Sequence, residues 1–304
     1  METSEPPDMA WHRFFTGYMF VLAATVIWSG NFIVARTLAN AVQPITLVIF
    51  RSIIALVLLI PFTAGAIYRE RALIRKHFAF LAVTAFFGIT VCNTLLYVAA
   101  LTSTALNLSL IAVTSPIFTL ALARIFLRDT LTLRRVIGFI GATFGVVLLI
   151  TDGQLSRLME LAFTHGDLWM LGQAASFALY SILVRKKPAE MSPLVFLFTL
   201  FFLGGVLFLL PALPWEIPHI RQIDFTPSVI ESILYLGIGP SLLAFLCWNQ
   251  SVAIVGPTRA ALVYYCLPLF SGFEAFLLLG EPINAIHIIS AILILSGVII
   301  ATRE

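Results

Sequence analysis

The chain is divided into about ten runs of roughly twenty mostly apolar residues, and no other feature restricts its fold so severely. A run of that length crosses a hydrocarbon layer ~30 Å thick as a single helix. Transmembrane β-strands are about half as long and alternate polar with apolar residues, a pattern missing here. The runs fall at about 17–36, 44–63, 78–101, 105–127, 134–151, 167–186, 193–211, 228–250, 258–279 and 284–302. Composition agrees: 60% of residues are hydrophobic and 11% are charged, where a soluble domain needs roughly 25% charged residues. The expected fold is an all-α integral membrane protein of ten transmembrane helices. The first run, followed by Ala39-Asn40-Ala41, imitates a signal peptide, but its apolar core is too long and it has a counterpart later in the chain.

Basic residues set the expected orientation. With the N-terminus inside, fourteen of the eighteen Lys and Arg lie in cytoplasmic segments, among them Arg69, Arg71, Arg75, Lys76, Arg134, Arg135, Lys186 and Lys187. Arg36, Arg157 and Arg221 lie outside, and Arg51 is within the second run. That bias predicts cytoplasmic N- and C-termini, in the inner membrane of a bacterium. A net charge of +3 gives no reason to expect a nucleic-acid partner.

The sequence also repeats itself. At an offset of 149, Gly17, Leu22, Ile33, Arg36 and Pro44 fall on Gly166, Leu171, Ile182, Arg185 and Pro193. At 152, Pro116, Phe118, Asp129, Gly145 and Val146 fall on Pro268, Phe270, Glu281, Gly297 and Val298. The implied organisation is a tail (1–16), a five-helix copy (17–151), a linker (152–166) and a second copy (167–302). An odd number of spans per copy requires the copies to lie inverted, as in many alternating-access transporters.

These features resemble the drug/metabolite transporter superfamily, in its EamA-type ten-helix form. The likeness rests on Pro268-Leu269-Phe270, Leu279-Gly280-Glu281 and Ser296-Gly297-Val298, and in the first half on Ala100-Leu101, Ser115-Pro116-Ile117-Phe118 and Gly145-Val146-Val147. Arg128-Asp129 departs from the Gly-Glu found in the second copy. The resemblance implies a small-metabolite carrier, often an exporter of amino acids, although sugar and nucleotide-sugar carriers share the fold. It places the cavity among helices 1, 3, 4, 6, 8 and 9.

Polar and aromatic residues inside those spans are the candidate substrate contacts: Trp28, Asn31, Asn93, Tyr97, Asn107, Tyr180, Trp248, Asn249, Gln250, Tyr264 and Tyr265. Buried amides in hydrocarbon need partners, so each is either interhelical glue or a cavity group. Flat aromatic surface with a polar tip suits a zwitterionic or aromatic metabolite. Pro116 and Pro268 each remove a helical hydrogen bond in mid-span, as packing kinks or as hinges. Arg51 and Glu274 lie at similar depths, roughly 9–11 Å below the outer boundary. They read as an ion pair, with an outward-reaching Arg51 or a protonatable Glu274 as alternatives. Gly141-x-x-x-Gly145 permits close helix approach, within the bundle or between protomers of a weak homodimer.

No cofactor or metal is expected. His12, His77, His165, His219 and His287 are scattered over tails, loops and helix ends, and Cys92, Cys247 and Cys266 lie singly in apolar runs. A membrane-embedded enzyme, the main alternative class, would need clustered Asp or His near the membrane surface. The expected partners are a small-molecule substrate and the lipid bilayer.

Overall fold

The structure is a computed structural model that describes residues 7–130, 132–154, 164–279 and 283–302. Gly280-Glu281, Arg157, Arg303 and most of the 152–166 linker lie outside these residues. Among the described residues there is no strand, and nine helices are long and apolar enough to cross a membrane.

The helices, in chain order, are α1 (Pro7–Leu38), α2 (Pro44–Lys76), α3 (Phe78–Thr102), α4a (Ala105–Ala112) and α4b (Ser115–Phe126), and α5 (Leu133–Ile150). The second half contains α6 (His165–Arg185), α7 (Pro193–Leu200, extended by Phe201–Leu207), α8 (Pro227–Val255), α9a (Pro257–Tyr264) and α9b (Leu267–Leu279), and α10 (Ala285–Thr302). The segment expected as the ninth span is therefore two shorter helices. α2 runs to Lys76 because its charged tail, Arg69 to Lys76, is rich in helix formers and needs no membrane to stay helical.

Local chemistry fixes the boundaries. Pro44, Pro193, Pro227 and Pro257 open their helices, where the missing N–H costs nothing. Thr104, Thr132, Ser192 and Thr226 cap helix starts by accepting from the backbone N–H three residues on. Gly256 joins α8 to α9a at φ +87°, a backbone conformation that only glycine adopts without strain.

Three spans widen into π-helical turns, at Phe86–Val91 in α3, Phe201–Leu207 in α7 and Gly237–Ala244 in α8. Such turns leave carbonyls that side chains must satisfy, and they are frequent at functional sites. Asn93 Nδ2 donates to Ile89 O at 2.9 Å, and Ser241 Oγ donates to Leu236 O at 2.8 Å. Leu236 O is the carbonyl that Pro240, lacking an N–H, cannot reach.

Several of these features occur in both halves, at or close to the offsets at which the sequence repeats. α4 breaks at Val113-Thr114 and α9 at Tyr265-Cys266. The guanidinium of Arg36, at the end of α1, donates to Ala100 O of α3 (2.7 Å), and that of Arg185, at the end of α6, donates to Ala253 O of α8.

Pro116 and Pro268 do not interrupt helix interiors, as the sequence suggested. Each is the second residue of the half-helix after a break, where proline is well tolerated. The discontinuity lies in the preceding turn.

α5 and α10 pack closely along their length. A Cβ on Gly297 would stand 2.6 Å from both Ala142 N and Gly138 O, and one on Gly145 would stand 2.9 Å from Ile294 and Leu293 side chains. The small-residue pattern on α5 thus serves contact inside this chain. The outer faces of the same pair, including Ile140, Phe144, Ile288, Ile292 and Leu295, are exposed as a lipid-facing surface should be.

Candidate functional site

The aromatic residues of the bundle centre meet in one cluster. Trp28 of α1 lies 5.3 Å from Phe177, 5.5 Å from both Phe245 and Trp248, and 6.2 Å from Tyr264, measured between ring centroids. Phe177 in turn lies 4.8 Å from Trp248 and 5.7 Å from Tyr264. Most of these pairs are edge-on or tilted, the arrangements that aromatic quadrupoles favour. Trp28 Nε1 donates to Pro240 O (3.1 Å) and Trp248 Nε1 to Ser181 Oγ (3.1 Å), so both indole tips are satisfied inside the cluster.

Beside this cluster is a cavity of about 30 Å³, the room of one water molecule, lined by Trp28, Asn31, Phe32, Arg51, Cys92, Asn93, Leu96, Gln173, Phe177, Phe245 and Tyr264. Its walls come from α1, α2, α3, α6, α8 and α9a, which span both halves of the sequence. At this size the cavity is contracted, and a metabolite can enter only if side chains and helices move.

Of the residues singled out from sequence, Trp28, Asn31, Asn93 and Tyr264 line the cavity directly. Tyr180, Trp248 and Asn249 stand just behind, with the Tyr180 hydroxyl donating to Asn249 Oδ1 at 2.6 Å. The Tyr97 hydroxyl accepts from Arg51 Nη1 (2.5 Å). Three candidates lie elsewhere. Asn107 Nδ2 donates to Asp167 Oδ2 (3.3 Å), in a latch where Ser103 Oγ also donates to Asp167. The Tyr265 hydroxyl bonds Thr143 Oγ1 of α5 (2.9 Å), and Gln250 is half-buried outside the cavity lining. Phe32, Cys92, Leu96, Gln173, Phe177 and Phe245 were not anticipated.

The expected ion pair is not formed. Arg51 Nε donates to Ser241 Oγ (2.6 Å), and its Nη1 donates to Asn93 Oδ1 (2.8 Å) and the Tyr97 hydroxyl (2.5 Å). Glu274, half-buried on α9b, instead accepts from Ser29 Oγ of α1 at 2.6 Å. The two side chains point from their helices toward different neighbours. A proton role for Glu274 stays a separate proposal.

Each end of the bundle carries its own polar contact. At the end where α1 begins and α10 finishes, Thr258 Oγ1 of α9a donates to Asp129 Oδ2 beyond α4b (2.8 Å). Asp129 Oδ1 also pairs with Arg135 at 3.2 Å. At the opposite end, Asp167 of α6 holds Ser103 and Asn107 of the first half.

A bundle of apolar helices with broken spans, widened turns and an aromatic-lined cavity between them is the framework of an integral membrane protein. The EamA-like transporter family matches twice, over residues 15–151 and 164–303, so the chain belongs to that family. It is similar to the uncharacterized transporter YyaM of Bacillus subtilis, at 27% identity over 94% of this chain and 93% of that protein. It is also similar to an uncharacterized transporter of Archaeoglobus fulgidus, at 25% identity over 94% and 97% of the two chains. A protein of Streptantibioticus cattleyicolor named a probable terminal-alkyne amino-acid exporter is 24% identical over 64% of this chain and 63% of its own. A solved crystal structure shares the fold with a TM-score of 0.71 at 19% identity, over 94% of this chain and 96% of the other.

Proposed function

We propose that this transporter exports small metabolites such as amino acids across the cytoplasmic membrane by alternating access. In this reading two inverted five-helix copies rock about a shared central site. The observation that carries it is the cavity walled by helices of both halves and lined by Trp28, Phe177, Phe245 and Tyr264 beside Asn31, Asn93 and Arg51. Flat apolar walls with a few convergent polar groups are what a small amphipathic solute requires. The turns at Val113-Thr114 and Tyr265-Cys266 are the proposed hinges, since discontinuous helices near the midplane recur beside transporter sites. The amino-acid class draws support from the name of the Streptantibioticus relative.

The test is flux through purified protein in liposomes, with an amino-acid panel and a sugar panel, each with and without a pH gradient. Saturable movement of amino acids is the expected result. Movement of sugars alone would replace the substrate class, and no movement of either would remove the exporter reading.

Orientation is tested separately. In this reading both termini are cytoplasmic, so cysteines introduced at the exposed positions Gln154 and Gln222 should react with an impermeant thiol reagent from outside the cell. One at the exposed Ala72, on the charged tail of α2, should not. The reverse labelling pattern would invert the topology.

A further inference from the structure

Among the described residues Arg51 is the one cation lining the cavity, and it is 1% exposed. An arginine cannot relieve burial by giving up its proton, so it stays charged at membrane depth. Its three described partners, Ser241 Oγ, Asn93 Oδ1 and the Tyr97 hydroxyl, are all neutral. A buried cation held without an anion is costly, and bundles keep such groups where they meet a substrate or ion. The three bonds also fix the plane of the guanidinium through Nε and Nη1. The remaining nitrogen, Nη2, is buried and makes no hydrogen bond among the described residues.

A second polar atom of the same cavity is left in the same condition. Asn31 Oδ1, an acceptor on α1, is buried and makes no hydrogen bond among the described residues. The cavity therefore offers one unsatisfied cationic donor and one unsatisfied neutral acceptor, with Trp28, Phe177, Phe245 and Tyr264 as apolar walls. Those groups complement a carboxylate, an amine and an apolar side chain.

We propose that Arg51 anchors the carboxylate of an apolar α-amino acid through Nη2, while Asn31 Oδ1 accepts from the ammonium group. Asn93, Tyr97 and Ser241 are positioning residues, because their bonds hold and aim the guanidinium. The π-helical turns of α3 and α8 put Asn93 and Ser241 where they can do so, since each of these side chains also bonds a carbonyl of its own widened turn. The proposal deepens the transporter reading and rests on it for what happens after binding.

Binding to the purified, detergent-solubilised protein tests the site directly, by calorimetry and by ligand-induced rise of the melting midpoint. The probes are L-phenylalanine, L-phenylalaninamide and 3-phenylpropionate, which share the ring but differ in the acid and the amine. Phenylalanine is expected to bind, with the amide weaker by at least about tenfold, since the amide forfeits a charge-assisted bond. Phenylpropionate should be weakened by a smaller factor through loss of the Asn31 contact. In Arg51→Gln the acid and the amide should bind alike. If that variant does not fold, the acid-to-amide ratio of the unaltered protein decides by itself. Equal binding of acid and amide, or no binding of any acid, overturns the anchor. Liposomes separate the two ideas: acid binding without flux sinks the transporter reading and leaves the anchor, while equal flux of acid and amide does the reverse.

Discussion

Bridging residues 129 and 258 should stop transport almost completely, and cutting the bridge should restore it. α4b and α9a pack against each other, and at the end of the bundle where α1 begins and α10 finishes Thr258 Oγ1 reaches Asp129 Oδ2 at 2.8 Å. Asp167, with Ser103 and Asn107, ties the halves together at the other end. If access alternates, the two ends cannot both stay closed through a cycle, so one fastened permanently halts turnover. Asp129→Cys and Thr258→Cys would be combined in a background with Cys92, Cys247 and Cys266 replaced by alanine, then joined by a short reversible bis-methanethiosulfonate. Each single cysteine variant should lose little flux on treatment with the reagent. Treatment of the double variant should remove nearly all of it, and dithiothreitol should return it. Full flux with the bridge demonstrably in place would mean that this end never opens, and the alternating-access mechanism would have to be abandoned.

Why the helices were legible and the site only half so follows from what a sequence encodes. The contrast between apolar runs and charged loops is written residue by residue, so the starts at Pro44, Phe78, Ala105 and Pro193 could be read almost to the residue. Position along a helix was readable too, at 1.5 Å per residue. Rotation about the helix axis was not. Arg51 and Glu274 both lie inside helices, yet one faces α3 and α8 and the other faces α1. Tyr264 and Tyr265 show the same thing at closest range. Tyr264 ends α9a and Tyr265 lies in the break that follows, so one meets the cavity while the other bonds Thr143 of α5. Phe177 and Phe245 were missed for a different reason: among 26 phenylalanines, most of which serve packing or lipid contact, nothing in their letters sets two apart. Pro240 was overlooked because its freed carbonyl is satisfied by Ser241, one residue away, which no spacing rule anticipates. The π-helical turns in α3 and α8 fall into the same class, being consequences of packing rather than of local propensity.

The largest loss of stability from a single cavity residue is expected at Trp28. It is 6% exposed, contacts Phe177, Phe245, Trp248 and Tyr264, and closes the widened turn of α8 by donating to Pro240 O. Truncating a buried tryptophan to alanine costs about 3–5 kcal/mol, a large part of the roughly 5–15 kcal/mol that holds a typical domain together. Trp28→Ala should therefore lower the detergent melting midpoint by roughly 6–20 °C. Flux per folded molecule should fall as well, because the wall of the cavity goes with the ring. Trp28→Phe separates the two contributions. It keeps an aromatic face toward Phe177 and Phe245 but leaves Pro240 O without its donor, a cost of about 1–3 kcal/mol at a buried carbonyl. Its melting midpoint should lie between those of the parent and the alanine variant, with flux partly retained. An alanine variant that melts and transports like the parent would show that the aromatic cluster neither supports the bundle centre nor forms the site.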